Sequence, residues 1–245
     1  MKTIYSILVW LIYGISFVFS LVFTLITFLF TFWFDKHRVY PNKVMMFFGR
    51  SMVSLNPFWK VTHFGLENVN KGPKGKIAIA NHQSFIDMPL MATLPFKMKW
   101  VSKKELFSVP VVGWIMKMCG HISVDRGSKH AAKSLLAMIE PIEAGGMVMI
   151  FPEGTRSREG KLKTFKKGAF YASKDNNFHI LPIVVEGTYK LLPPDTWKVN
   201  FKGDLYISVL EPVDPAPFET VEALSEHVHQ LVSTELDRLQ AIVKA

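Results

Sequence analysis

A histidine and an aspartate five residues apart are the side chains of this sequence best suited to move a proton. His82 follows a short apolar run at residues 77–80, and Asp87 stands where the next helix is predicted to begin. A carboxylate that bonds one imidazole nitrogen fixes the tautomer and leaves the other nitrogen free to accept a proton. A purely structural histidine near a helix start fits the same pattern. A zinc site fits less well, because the pair lacks the i, i+4 spacing of helical zinc motifs.

Two arginines follow later apolar runs and are candidates for binding phosphate. Arg126 comes directly after one run, in an Asp-Arg pair that is equally compatible with a surface ion pair. Arg156 lies in a turn after another run, where Glu153 can hold an arginine or bond a sugar-like hydroxyl and Gly154 permits close backbone approach. Guanidinium groups bind phosphate in a bidentate manner, and α/β sheets form sites where strands end.

Two neighbouring segments carry no distinct chemistry when taken alone. Residues 158–167 hold five cations against Glu159, a pattern typical of a solvated basic loop. Residues 181–188 indicate a buried strand that ends in a turn.

The elements that must position these side chains alternate between short apolar runs and helical patterns. Such alternation predicts an α/β fold with a largely parallel central sheet flanked by helices. We predict an anchor over residues 1–60 and a catalytic domain over residues 61–245. The predicted strands are 77–80, 99–102, 121–124, 147–151, 180–186 and 205–209, and the predicted helices are 87–94, 128–143, 165–174 and 221–243.

The N-terminal segment predicts a hydrophobic helical membrane anchor. Residues 4–34 contain no charged side chain, and such a run spans ~46 Å as a helix where a bilayer core needs only ~20 residues. A cleaved signal peptide is the alternative, but the run is too long and lacks a small-residue cleavage site.

The orientation of this anchor rests on the charges that follow it. Lys36, Arg38 and Lys43 come after the run, whereas only Lys2 and the N-terminus precede it. The positive-inside bias then places the catalytic domain on the cytoplasmic side of the cell membrane. A second apolar patch at residues 44–59 is interrupted and predicts an interfacial helix on the same leaflet. A re-entrant pair of helices that never crosses the bilayer remains open.

The composition points to a membrane and to anionic partners. Apolar residues make up 49% of the chain, and 29 Lys and Arg against 20 Asp and Glu give a formal charge of +9. Lipid head groups, phosphorylated substrates, acidic proteins and nucleic acid all fit that charge. The lone Cys119 cannot form an internal disulfide.

Together the four segments resemble the glycerolipid acyltransferase family, whose typical members are 1-acylglycerol-3-phosphate acyltransferases. Residues 81–87 are similar to the family block N-H-x-x-x-x-D, and residues 151–158 match its block F-P-E-G-T-R-S-R without a mismatch. Residues 120–126 and 181–188 resemble its second and fourth blocks. The joint occurrence of the first and third blocks is highly specific.

The resemblance implies acyl transfer from an acyl thioester to the sn-2 hydroxyl of 1-acylglycerol 3-phosphate, forming phosphatidate. It implies that His82 is the general base and that Asp87 orients it, without an acyl-enzyme. It also implies that Arg126, Glu153, Gly154 and Arg156 bind the glycerol phosphate, with Pro182 near the acyl or acceptor pocket. No cofactor is expected, since the thioester is already activated, and the donor is either an acyl carrier protein thioester or a coenzyme A thioester.

Three other functions stay open at this point. The same chemistry could serve glycerol 3-phosphate or another lysolipid as acceptor. A non-catalytic lipid-binding module would fit the anchor, although the intact His82 and Asp87 pair disfavours it. A nucleic-acid binder fits the pI near 9.5, but the anchor and the lack of a recognition motif count against nucleic acid as a partner.

Overall fold

The computed structural model describes residues 1–125, 135–158 and 160–244. These residues form a seven-stranded sheet in the order β1-β7-β6-β2-β5-β3-β4. The strands are β1 (Trp59–Phe64), β2 (Lys76–Ala80), β3 (Met98–Lys103), β4 (Ile122–Val124), β5 (Met147–Ile150), β6 (His179–Glu186) and β7 (Gly203–Val209). The five strands from β6 to β4 run parallel, whereas β6 and β7 are antiparallel. The prediction of an α/β fold with a largely parallel sheet is confirmed.

Helices cover both faces of the sheet. They are α1 (Lys2–Thr31), α2 (Val39–Ser54), α3 (Asp87–Met91), α4 (Val112–Met118), α5 (Ile139–Glu143), α6 (Gly168–Asn176), α7 (Thr188–Leu191) and α8 (Val221–Lys244). Three 3-10 turns, Leu66–Asn70, Lys104–Ser108 and Leu136–Met138, complete the described elements.

Alternation along the strands divides the core into two layers. Ala78 and Met149 pack with α1, α2 and α3 on one face, and Ile77 and Val148 pack with α6 and α8 on the other. Because β2 and β5 are buried on both faces, they appear in the sequence as continuous apolar runs. Because helices cover both faces of the sheet, polar side chains can come together only where the strands end.

Two predicted elements differ from the structure. The second apolar patch is helical only to Ser54, and Trp59 begins β1; an interfacial helix up to residue 59 is therefore wrong at its end. Pro57 cannot continue a helix, and the stretch after it alternates in the manner of a strand. Of the helix predicted at 128–143, residues 128–134 lie outside the described residues, and residues 135–143 hold a 3-10 turn followed by α5.

The first helix is long and apolar enough to cross a membrane by length and composition. An 18-residue window of α1 has a mean hydropathy of 2.3. Ser6, Val9, Tyr13, Ser20 and Thr24 form its buried face, while the apolar side chains around the rest of the helix are exposed. The apolar helical anchor predicted at residues 4–34 is compatible with this helix.

Candidate active site

The histidine and aspartate predicted to act together are in contact. His82 lies two residues beyond β2, and its Nδ1 is 2.7 Å from Oδ2 of Asp87. That oxygen also accepts hydrogen bonds from the backbone N–H groups of Gln83, at 2.7 Å, and Ser84, at 2.9 Å. Since a carboxylate only accepts, neutral His82 carries its hydrogen on Nδ1 and presents Nε2 as an acceptor. Within the described ranges no side chain bonds Nε2.

The other carboxylate oxygen of Asp87 is held by a residue from a distant segment. Thr188 donates its hydroxyl to Oδ1 at 2.5 Å. Gly187, with φ at +94°, turns the chain as β6 ends and brings Thr188 over this fully buried carboxylate. The Gln83 amide donates to Glu186 at 2.8 Å, which ties the same two segments together. The sequence patterns did not identify Thr188 as a site residue. The one feature that could have done so is the position of its hydroxyl, directly after a glycine at the end of a strand.

We expect the Thr188→Val variant to lower kcat by about 10–100-fold, because a hydrogen bond to a charged group contributes roughly 1.5–3 kcal/mol and 1.4 kcal/mol corresponds to tenfold. The effect should fall on kcat with the KM of either substrate unchanged, since Thr188 touches Asp87 rather than a ligand. Thr188→Ser keeps the hydroxyl and is the matched control. Steady-state kinetics of both variants provide the measurement, and equal rates for Val and Ser would remove Thr188 from this role.

The loop after β5 fixes the backbone of His82. Glu153 accepts the N–H of His82 through Oε1 at 2.7 Å and the N–H of Lys163 through Oε2 at 3.2 Å. The N–H of Ser157 donates to the His82 carbonyl at 2.7 Å. The imidazole stacks on the ring of Phe151, with centroids 4.0 Å apart and planes at 15°. Residues 151–158, the third sequence block, therefore position the histidine. The sequence patterns did not predict this role.

Glu153 is 5% exposed, and burial raises the pKa of its carboxyl to about 7, although the two backbone N–H groups oppose that shift. In the described residues its oxygens face backbone N–H groups rather than an arginine. Its predicted contact with the glycerol phosphate stays a prediction.

Of the two predicted phosphate-binding arginines, Arg156 lies beside this site. It is half-buried, and its carbonyl accepts a hydrogen bond from Nζ of Lys163 at 2.8 Å. Gly154 has φ at +78°, a backbone conformation that side chains with a Cβ rarely adopt. Glycine is therefore needed for the turn that carries Arg156. Arg126 lies outside the described residues.

Pro182 and Lys103 both lie in strands of the sheet. Pro182 lies inside β6, opposite Ile79 of β2, and its carbonyl accepts the N–H of Leu210 at 2.9 Å; its place in a substrate pocket stays a prediction. Lys103 ends β3 opposite Val124 and is exposed. It adds a cation to the edge of the sheet that carries His82, and sequence analysis did not single it out.

Comparison with known proteins connects this geometry to a family. The family model described as Acyltransferase matches residues 60–186, which are 127 of the 245 residues. This chain belongs to the acyltransferase family. The resemblance inferred from the four sequence blocks is thereby confirmed.

Several relatives of this acyltransferase-family chain carry related names. A chloroplastic 1-acyl-sn-glycerol-3-phosphate acyltransferase of Arabidopsis thaliana is 33% identical over 66% of the chain and 46% of its own length. A 1-acyl-sn-glycerol-3-phosphate acyltransferase of Saccharomyces cerevisiae is 32% identical over 73% of the chain and 59% of its own length. The chain spans about half the length of the curated plant relatives it matches.

A solved structure matches the fold from end to end. The crystal structure of the 1-acyl-sn-glycerophosphate acyltransferase PlsC from Thermotoga maritima has a TM-score of 0.81 and 29% identity, covering 98% of both chains. The N-terminal helices and the sheet of this chain thus belong to one shared architecture.

Proposed function

We propose that the protein transfers a fatty acyl group from a thioester to the sn-2 hydroxyl of 1-acylglycerol 3-phosphate, forming phosphatidate. The observation that carries the proposal is His82, whose Nδ1 is tied to buried Asp87 at 2.7 Å while Nε2 stays available to a substrate. The names of the relatives and of the matched structure support this choice of acceptor.

In the proposed reaction, Nε2 of His82 takes the proton of the acceptor hydroxyl as its oxygen attacks the thioester carbonyl. The tetrahedral intermediate then collapses, the carbon–sulfur bond breaks, and the thiolate takes the proton back from the imidazolium. Asp87 stabilises the imidazolium that forms between these steps. General-base catalysis contributes ~10²–10⁴-fold, so the positioning of both substrates must supply much of the remaining acceleration.

The acceptor phosphate is proposed to bind the cations of the loop after β5. Arg156 is half-buried and lies between Glu153 and Ser157, the two residues of this loop that bond the backbone of His82. Its guanidinium can bind phosphate in a bidentate manner. Arg126 is proposed to join it on the strength of its match to the second family block. Glu153 and Gly154 are proposed to help bind the glycerol phosphate, and Pro182 is proposed to lie near the acyl or acceptor pocket.

The decisive experiment is an assay of the purified full chain with 1-acylglycerol 3-phosphate and either acyl carrier protein or coenzyme A thioesters. Glycerol 3-phosphate and lysophosphatidylcholine serve as alternative acceptors. Phosphatidate formation with one donor supports the proposal and identifies the carrier. Preference for another acceptor would overturn the assigned substrate, and no transfer with any pair would overturn the activity.

We expect Arg156→Ala to raise the KM for 1-acylglycerol 3-phosphate by about 10–100-fold, since a charge-assisted hydrogen bond contributes roughly 1.5–3 kcal/mol. The KM for the thioester should stay within twofold. Arg158→Ala is the matched control, because its exposed guanidinium lies near Asp195. Initial-rate measurements with each substrate varied provide the test, and an effect confined to the donor would move Arg156 out of the acceptor site.

For the membrane, we propose that α1 lies in one leaflet without crossing the bilayer, with the catalytic domain on the cytoplasmic side. Near its start, Nε1 of Trp10 donates to the carbonyl of Trp197 at 2.7 Å. After its end, the carbonyl of Arg38 accepts Nζ of Lys99 at 3.3 Å. A spanning helix separates its ends by the ~30 Å hydrocarbon core, whereas both ends of α1 contact the same domain.

Labelling from one side of the membrane tests this placement. In a Cys119→Ser background, Lys2→Cys and Lys36→Cys place a single thiol at either end of α1. We expect an impermeant maleimide to label both variants from the cytoplasmic face, in inverted vesicles only. Labelling of the two positions from opposite faces would contradict the one-leaflet arrangement.

A further inference from the structure

A basic cavity lies at the edge of the sheet opposite to His82. Its volume is about 730 Å³, and it opens where β2, β3 and β5 begin. Four lysines line it together with His37: Lys74, Lys76, Lys97 and Lys99. We call it the lysine cavity. His82 lies beyond the other end of β2, so the proposed active site and the lysine cavity are separated by the length of that strand, ~17 Å.

The lysines are poorly compensated by acidic groups. No acidic side chain is among the described residues that line the cavity. Asp35 lies close enough to influence Lys97 and Lys99, but its two oxygens accept the backbone N–H groups of Val39 and Tyr40 at 2.8 and 2.9 Å. Asp35 is therefore held at the start of α2 by these bonds, and one carboxylate faces the four lysines of the cavity. An anion from outside would improve the balance of charge.

Two of the lysines are withdrawn from water. Lys76 is only 1% exposed, and its Nζ donates to the carbonyl of Val69 at 3.0 Å. Lys99 donates to the carbonyls of Cys119 and Arg38. Burial lowers the pKa of Lys76, and lowers that of Lys99 to about 8. Burying an ammonium group without an opposite charge costs free energy, and a bound phosphate would offset that cost.

The rim of the lysine cavity adjoins the surface proposed to face the membrane. His37 and Val39 line the cavity and directly follow the aromatic end of α1. Trp33 is 69% exposed and Phe34 is 60% exposed, and exposed aromatic side chains next to cations are typical of the head-group level of a membrane. The phosphate nearest to this opening would therefore come from a lipid.

We infer that the lysine cavity binds the phosphate of an anionic phospholipid head group from the leaflet that holds α1. The inference rests on the proposed membrane placement and is independent of the acyl-transfer reaction. The ammonium groups of Lys74 and Lys97 at the opening contact the phosphate first, and Lys76 and Lys99 supply positive charge behind them. A lipid bound there holds the α1–α2 junction at the membrane surface.

Titration of the full chain in neutral detergent with short-chain lipids tests this site. Dioctanoyl phosphatidylglycerol is the probe, and dioctanoyl phosphatidylcholine, with the same acyl chains, is the neutral comparison. We expect wild-type protein to bind the anionic lipid with one-to-one stoichiometry and to bind the neutral lipid much more weakly. Lys74→Ala combined with Lys97→Ala should weaken binding about 25-fold, roughly fivefold for each lysine. Both side chains are exposed, so the fold should survive.

A control double variant that removes the same charge elsewhere distinguishes binding in the lysine cavity from unspecific attraction between the basic protein and an anionic lipid. Lys60 and Lys202 are exposed next to Phe58 and Phe201, whose side chains are 42% and 43% exposed. Replacing both lysines by alanine should change binding less than twofold. An equal loss in the two double variants would overturn the inference in favour of unspecific attraction.

Two further measurements test whether the phosphate belongs to a lipid bound in the lysine cavity, to a lipid bound in the proposed acceptor site, or to soluble phosphate. The Arg156→Ala variant should bind the lipid as wild type does. Loss of binding in that variant alone would place the lipid in the proposed acceptor site. Inorganic phosphate should not displace the lipid at equal concentration, and displacement would reassign the cavity to soluble phosphate. Because no thioester is present, failure of the acyl-transfer proposal would leave these outcomes unchanged.

Discussion

The His82→Ala variant is expected to lose about 10³–10⁴-fold in kcat, the upper part of the range for a positioned general base. Alanine removes the group that takes the proton from the acceptor hydroxyl, and in the described part of the chain no neighbouring side chain is placed to replace it. The nearest carboxylate, Asp87, is fully buried and is occupied by Thr188 and two backbone N–H groups. Single-turnover transfer with both substrates saturating measures the chemical step without product release.

Binding and folding should survive this substitution. The backbone of His82 is held at its N–H by Glu153 and at its carbonyl by Ser157, so both bonds remain in the alanine variant. His227→Ala, at an exposed position of α8, is the matched control and should turn over normally. Added imidazole can enter the space above Phe151 and should restore part of the rate. Turnover of His82→Ala within fivefold of wild type would contradict the proposed role.

The parts of the site that sequence analysis predicted are those built from adjacent residues. His82 and Asp87 lie within one turn after β2, and an apolar run followed by His and Asp already places them near each other. The strand prediction at residues 77–80 agrees with β2 for the same reason, since burial on both faces requires an unbroken apolar run.

The parts that it missed depend on the order of strands in the sheet. Thr188 reaches Asp87 because β6 pairs with β2, and Glu153 reaches His82 because β5 pairs with β2 on the other side. The apolar patterns of β5 and β6 are compatible with several orders. A Thr or Glu that completes a site across neighbouring strands therefore carries no local signal, even when its own strand is predicted correctly.

Prediction of the N-terminal anchor from the sequence meets a similar limit. The uncharged run at residues 4–34 predicted a membrane helix, but a run of that length fits both a spanning helix and one that lies in a leaflet. The proposal of a helix that lies in one leaflet draws on contacts with residues far along the chain, such as the bond from Trp10 to Trp197 and the bonds between Ser6 and Val199. Hydropathy contains no information on such contacts.

The second large effect is expected for Asp87→Asn, which should lower kcat by about 100-fold while leaving the fold intact. The N–H groups of Gln83 and Ser84 both point at the position of Oδ2, so the asparagine must place its carbonyl oxygen there. Its NH₂ group then faces the Thr188 hydroxyl, which can accept as well as donate. The bond to Thr188 is then reversed, and the threonine hydroxyl can donate to Oε1 of Gln83, 3.3 Å away. Nδ1–H of His82 still has an acceptor.

What the asparagine removes is the negative charge that stabilises the imidazolium. In sites where asparagine also reverses the histidine tautomer the loss is ~10⁴-fold. Here the hydrogen bond stays and only its charge is lost, so the loss is bounded by the roughly 1.5–3 kcal/mol that a whole hydrogen bond to a charged group contributes. Asp87→Ala is the contrasting variant. It leaves buried donors unpaired at roughly 1–3 kcal/mol each, so it should lower the unfolding temperature as well as the rate. A loss in Asp87→Asn as large as that of His82→Ala would mean that the amide is flipped, and unchanged turnover would remove Asp87 from the mechanism.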